Sequence, residues 1–249
     1  MEDFSNIINW DNLFKLSDTF KKNKPFKYTF VEDIFYKNFY EKLYKTYPTI
    51  DNSWKIINSI TKMQYWKGYD KREDVESGNP AHVDDPSLSK EWNKFLRYIN
   101  TNEFSENFTK FSGIKVTRCK AYGFAAYHKG GFQMPHIHNV GPRTLVTLYY
   151  FSKGWKKGEP GGTYLAYGED ESKIFFEPYN LDNSMVVFHD GPKSAHGARY
   201  IAKDVTRQAF SVDLEYYSEK DGWSGGRDKE NFYAKLKTSG KKPKHTSKK

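Results

Sequence analysis

The sequence predicts a mainly β protein of the α+β class, a double-sheet jelly roll with N-terminal helices packed on one sheet. Three observations carry this. After Ile114, short strand-like runs follow one another with turn residues between them. Before about residue 110, apolar residues recur at helical spacing instead. Phe, Trp and Tyr make up 18% of the chain, enough large rings for a substantial core despite a mean hydropathy of -0.87.

In chain order, Phe35, Phe39 and Leu43 recur at i, i+4, i+8 within Val31 to Leu43. Trp92, Phe95, Leu96 and Ile99 form a second stripe. Both suit helices that cover one side of a sheet, and their aromatics read as core. The first ~110 residues are therefore expected to be mostly helix and loop. Gly68 to Ser87 is polar, contains Pro80 and Pro86, and reads as a loop. The strand-like runs are IKVTRCKAYGFAAY, TLVTLYYF, GTYLAY, SKIFFEPY, SMVVFHD, SAHGARYI and TRQAFSVDLEY. Gly130-Gly131, Gly141-Pro142, Gly158 to Gly162, Asn180 to Asn183 and Gly191-Pro192 mark the breaks. The expected organisation is a helical support over 1–110, a β core over 111–220 and a C-terminal extension over 221–249. No repeat or linker divides the β half.

The formal net charge of +9 is unevenly placed. Lys235 to Lys249 holds seven Lys and no acidic residue, so the remainder carries 33 basic against 31 acidic residues, a net of +2. The tail lacks the apolar residues to fold alone. It suits a solvated terminus, or weak contact with nucleic acid or an acidic partner. Cys119 is the only cysteine, so an internal disulfide is excluded and a reducing compartment fits. The opening MEDFSNIINWDNL has neither the basic nor the apolar stretch of a signal peptide, and no run is long enough to span a bilayer. The expectation is a cytoplasmic protein with no membrane contact.

Five of the seven histidines, His128, His136, His138, His189 and His196, lie in the β half. His136 and His138 stand at i and i+2, which a strand points to one side. They can present two imidazoles to one ion, and His196, opening the run SAHGARYI, is the best third ligand. Three protein ligands leave coordination positions open, as catalytic metals require. Arg207 lies eleven residues after His196. If the two strands are antiparallel neighbours, Arg207 reaches the same cavity at greater depth. A buried Arg needs an anion, and its planar fork suits a carboxylate. That anion is either a bound ligand or a core acid such as Asp213 or Glu215; both readings stay open here.

These residues resemble the prolyl-hydroxylase-like branch of the iron(II)- and 2-oxoglutarate-dependent oxygenases. Tyr127, Gly130 and His136 in YHKGGFQMPH resemble that family's tyrosine, glycine and first metal histidine. Arg143 to Phe151 resembles the strand after the first ligands, and GEPGGTYL from Gly158 resembles its glycine pair and following strand. Asn183 to Phe188, then His196, then Arg207, resemble its distal block. Pro25 to Pro48 resembles its opening helical region, so the likeness spans Pro25 to Tyr216. The ordered combination is far more specific than any one block.

The resemblance implies a cupin-like double-stranded β-helix. It implies that His136, His138 and His196 hold Fe(II), that 2-oxoglutarate and O2 are co-substrates, and that Arg207, helped by Tyr127, takes the distal carboxylate of 2-oxoglutarate. The implied activity is hydroxylation of a protein side chain or a small molecule, with 2-oxoglutarate converted to succinate and CO2. One departure stands out. The family usually has His-x-Asp, and His138 occupies the Asp position, which adds one unit of positive charge to the metal complex. A halide site is disfavoured because His138 is bulky. Asp190 is the alternative ligand, ranked behind His138 because it falls at a strand end. A literal His-x-Asp, His82-Val83-Asp84, lies in the polar loop and lacks the Tyr-x-x-Gly lead-in. Two further readings stay open: a three-His metal dioxygenase that does not use 2-oxoglutarate, and a non-catalytic metal- or ligand-binding module.

Overall fold

The structure, a computed structural model, describes residues 2–70, 82–138 and 144–216. The basic tail therefore lies outside the described residues, as do residues 71–81 and 139–143. Five α-helices and eleven strands make up the described chain. All strand pairings are antiparallel and form one curled sheet.

The sheet folds into two layers. One contains β4 (Arg118–Tyr127), β6 (Thr144–Phe151), β9 (Asp182–His189) and β11 (Arg207–Glu215), in the order β9-β6-β11-β4. The other contains β5 (Phe132–His136), β7 (Thr163–Ala166), β8 (Ile174–Phe176) and β10 (Ala195–Ala198), in the order β5-β10-β7-β8. From β4 to β11 the chain steps back and forth between the layers. That winding is the double-stranded β-helix, and it confirms the expected fold class. Six of the seven sequence runs coincide with strands of four or more residues; in SKIFFEPY only Ile174–Phe176 pairs. The sequence reading omitted β5 as a strand, because Gly130-Gly131 and Pro135 mask its alternation.

The first ~110 residues depart from expectation, for three strands lie there. β1 (Tyr28–Glu32) adds to the edge of β9, and β2 (Lys55–Ser59) with β3 (Lys62–Asp70) forms a hairpin. β3 pairs with β4 and, through Lys62 and Met63, with β5, so it joins the two layers. The helix expected from Val31 starts only at Lys37 (α3, Lys37–Lys45). Asp33 has φ 51°, and the Asn183 amide accepts the Phe35 N–H at 3.0 Å and donates to the Phe35 carbonyl at 3.0 Å. Those backbone groups are then committed to Asn183 rather than to a helical ladder.

The Trp92 stripe does form a helix, α4 (Lys90–Ile99), followed by α5 (Asn102–Ser112). Ser89 and Thr101 cap their first turns by accepting N–H groups of Trp92 and Phe104. Gly113, at φ 69°, ends α5 in the left-handed conformation. The helices cover the outer face of the larger layer. Along β11, Phe210, Val212 and Leu214 meet Trp92, Phe95 and Phe108 in the main core. The alternate residues Arg207, Ala209, Ser211, Asp213 and Glu215 point the other way, into the barrel. No helix among the described residues is long and apolar enough to cross a membrane.

Candidate metal centre

β5 and β10 are neighbours in the smaller layer, and their register sets His136 opposite His196. Gly197 is needed beside the ligand: a Cβ there would meet the Gln133 carbonyl and the Tyr164 hydroxyl, each at 2.4 Å. His138 follows β5 by two residues and returns to the same side. The three rings lie 4.3–4.9 Å apart between centroids, and their nearest donor nitrogens lie within 4.8 Å of one another. This is the one His/Cys/Asp/Glu cluster of metal-binding geometry among the described residues. The structure thus brings together all three histidines that the sequence singled out.

Each ring is oriented from behind. The Nδ1 of His138 is 2.7 Å from Asp190 Oδ2, that of His196 is 2.7 Å from the Ser194 carbonyl, and that of His136 is 3.2 Å from the Met134 carbonyl. Oxygen acceptors at all three Nδ1 atoms favour the Nδ1–H tautomer and turn each Nε2 lone pair toward the cluster, where that of His136 also faces the Gln133 amide nitrogen at 3.1 Å. His136 Nε2 and His138 Nε2 are 3.1 Å apart. Two facing lone pairs at that distance repel unless a proton or a cation lies between them. Metal–nitrogen bonds of about 2.1 Å place neighbouring ligands roughly 3.0–3.4 Å apart, so a pair at 4.8 Å has to close by about 1.4–1.8 Å on binding, while the pair at 3.1 Å already fits. The donor set fits an Fe(II)-type ion with positions left open.

Burial, then the charge of His138, holds His136 down at about 4. Burial, then the charge of His136, holds His196 down at about 3. Both are neutral at physiological pH and ready to ligate. His138 differs: burial opposes its protonation, but the hydrogen bond and charge of Asp190 outweigh burial and raise it. Protons compete with the ion for His138, so metal affinity should rise with pH until the raised His138 value is passed. At pH 6, binding should release about one proton per ion. Calorimetry in buffers of different ionisation enthalpy measures this; release of none, or of two or more, contradicts the assignment.

Arg207 is 1% exposed at the start of β11. It does not reach the barrel as a neighbour of the His196 strand, because β10 and β11 lie in different layers. It instead registers with Tyr127 on β4. The Tyr127 and Tyr150 ring centroids each lie 5.0 Å from the guanidinium carbon. Nε donates to the Gly161 carbonyl at 2.8 Å and Nη2 to Thr163 Oγ1 at 3.1 Å. Nη1 is buried without a partner. The core-acid reading fails on these contacts. Glu215 is committed to Arg118 at 2.7 Å, and Asp213 forms no ion pair with Arg207. A buried guanidinium with one unused edge fits a ligand carboxylate.

Tyr127 links this end to the metal end. Its hydroxyl donates to Gln133 Oε1 at 3.0 Å, and the Gln133 amide nitrogen lies 3.1 Å from His136 Nε2. Burial pushes the Tyr127 phenol up to about 12, against the pull of Arg207, so it stays a neutral donor. The other motif is structural. The His82 ring nitrogens face Tyr122 at 3.0 Å and Asn93 at 3.2 Å, and Asp84 pairs with Arg97. His128 bonds Thr206 outside the cluster.

Sequence reasoning missed Gln133, Tyr150 and Ser194, and it weighed Asp190 only as a ligand, not as the partner of His138 Nδ1. It also missed Gln64 on β3, which is 5% exposed with an unpartnered Oε1. The spacing Asp190-Gly-Pro-Lys-Ser194-Ala-His196 was the available signal for the loop.

Fold and site together define a double-stranded β-helix carrying a three-histidine cluster and a buried arginine. No protein-family model matches the sequence, and no curated protein matches it. Solved structures do. A Pseudomonas putida prolyl-4-hydroxylase is similar with TM-score 0.58 and 10% identity, over 82% of this chain and 99% of that one. A Trichoplax adhaerens prolyl hydroxylase, solved with a hypoxia inducible factor peptide, is similar with TM-score 0.55 and 12% identity, over 86% and 90%. A Burkholderia pseudomallei oxidoreductase of the 2OG-Fe(II) oxygenase family has TM-score 0.53 and 10% identity, over 88% and 93%. At these identities the likeness establishes the fold.

Proposed function

We propose that this protein is an iron(II)- and 2-oxoglutarate-dependent oxygenase that hydroxylates a protein side chain or a small molecule. The observation that carries the reading is Arg207, buried, without an acidic partner and with Nη1 unused, in the same barrel as the three histidines. The solved structures of similar fold include an oxidoreductase of the 2OG-Fe(II) oxygenase family and two prolyl hydroxylases. His136, His138 and His196 would hold the iron through Nε2. Bound iron with 2-oxoglutarate supplies oxygen activation coupled to decarboxylation, in the balance substrate–H + 2-oxoglutarate + O2 → substrate–OH + succinate + CO2.

The chain's own part is binding and orientation. Arg207 offers Nη1 to the distal carboxylate while Gly161 and Thr163 keep its fork from turning. The faces of Tyr127 and Tyr150 confine that end and exclude water. Tyr127 holds the Gln133 side chain beside His136, and the Gln133 amide would turn away from Nε2 when the ion binds there.

The test is turnover of purified protein with Fe(II), ascorbate and 2-oxoglutarate in air. Succinate should appear slowly even without the prime substrate, and should need both iron and oxygen. No succinate, together with no 2-oxoglutarate binding to the metal-loaded protein by calorimetry, would overturn the reading.

A further inference from the structure

The metal ligand expected to be an aspartate is His138, and an aspartate stands directly behind it. Asp190 Oδ2 is 2.7 Å from His138 Nδ1, and Asp190 is 2% exposed. Its other oxygen, Oδ1, accepts from the Ser194 hydroxyl at 2.7 Å. The carbonyl of the same Ser194 receives His196 Nδ1 at 2.7 Å. One short segment, Asp190 to Ser194, therefore touches two of the three ligand rings on the side away from the ion.

That segment is held rigidly. Asp190 N–H donates to the Thr144 carbonyl at 3.1 Å, and Thr144 Oγ1 donates to the Asp190 carbonyl at 3.2 Å. Ser194 closes the turn by accepting the Gly191 N–H at 2.9 Å, and its own N–H meets the Gly191 carbonyl at 3.1 Å. Pro192 restrains the turn further. The rings of His138 and His196 are thus fixed to a loop anchored on β6.

We infer that Asp190 is a positioning residue for the metal, supplying from behind His138 the negative charge and orientation that an aspartate ligand would supply directly, with Ser194 coupling it to His196. The inference rests on the metal-centre reading and not on the identity of the co-substrate. A carboxylate on a ligand's Nδ1–H raises the basicity of its Nε2 and fixes its tautomer. The Asp-for-His exchange at 138 then does not leave the centre one charge short. The charge has moved outward by one imidazole.

The test is Co(II) titration of the full chain by calorimetry and by the visible spectrum of the bound ion. Wild type should bind one Co(II). Asp190→Asn, which keeps shape and removes charge, should weaken binding about 10–100-fold. In a His138→Asp background the imidazole relay is gone, and two carboxylates would face each other. Asp190→Asn should there leave the affinity unchanged or improve it. Ser194→Ala should lower the affinity in the same direction by less, and serves alone if Asp190→Asn does not fold. Failure of wild type to bind Co(II) defeats the metal-centre reading itself. Binding by wild type with Asp190→Asn within threefold of it, or with equal losses in both backgrounds, or an unaffected Ser194→Ala where Asp190→Asn does not fold, defeats only the positioning role.

Discussion

Arg207→Met should abolish 2-oxoglutarate binding in the useful range while leaving the metal in place. The argument is one of unpaired charge. Arg207 is buried, its Nε and Nη2 are taken by Gly161 and Thr163, and Nη1 has no partner in the protein. A carboxylate bound there forms a desolvated, charge-assisted pair, and removing one side of such a pair costs about 3 kcal/mol, or roughly 100-fold in affinity. Methionine suits the space between the two tyrosine rings, so the fold should survive. Arg207→Lys is the sharper control. It keeps the charge but cannot serve Gly161, Thr163 and a carboxylate with one fork, so it should fall between wild type and Met. Calorimetry of 2-oxoglutarate against metal-loaded protein, with succinate release beside it, measures both. A 2-oxoglutarate affinity unchanged in Arg207→Met would sink the assignment, and the arginine would then be a structural residue.

Much of this was legible in the sequence, for a physical reason. The larger layer of the barrel buries one side against helices, so its strands show regular apolar alternation, as in Phe210, Val212 and Leu214. His136 and His138 were legible because extended chain repeats every two residues, although β5 ends at His136 and His138 lies just beyond it. β3 was not. One of its sides faces the barrel interior, and there it carries Lys62, Gln64 and Trp66, while Tyr65 and Tyr69 pack against the main core. A strand that lines a polar interior loses the contrast on which alternation depends. Arg207 was expected inside the barrel, where it lies, but by the wrong route. The sequence gives distance along the chain, and only the winding between layers shows that β11 meets β4 rather than β10. Asp190 and His138 are 52 residues apart, and no local pattern joins them.

The same contrast between pattern and placement fixes the second large effect. His196→Ala should abolish metal binding, and His82→Ala should leave it untouched. Both histidines are buried, at 6% and 7% exposure, so burial does not separate them. What separates them is the state of their nitrogens. Hydroxyl and amide partners occupy both nitrogens of His82. His196 uses Nδ1 alone, on the Ser194 carbonyl, and its ring lies 4.3 Å and 4.8 Å from those of His136 and His138. Loss of a ligand should exceed the effect of losing an outer partner, so the affinity should drop by more than about 100-fold. Thermal melts give a direct readout. Metal at 100 times its dissociation constant should stabilise wild type by about 2.7 kcal/mol through mass action. His82→Ala should keep that increment although its metal-free form melts lower, since Tyr122 and Asn93 lose their partner. His196→Ala should lose the increment entirely at the same metal concentration. A metal-dependent stabilisation that survives His196→Ala but disappears in His82→Ala would move the centre to the other motif.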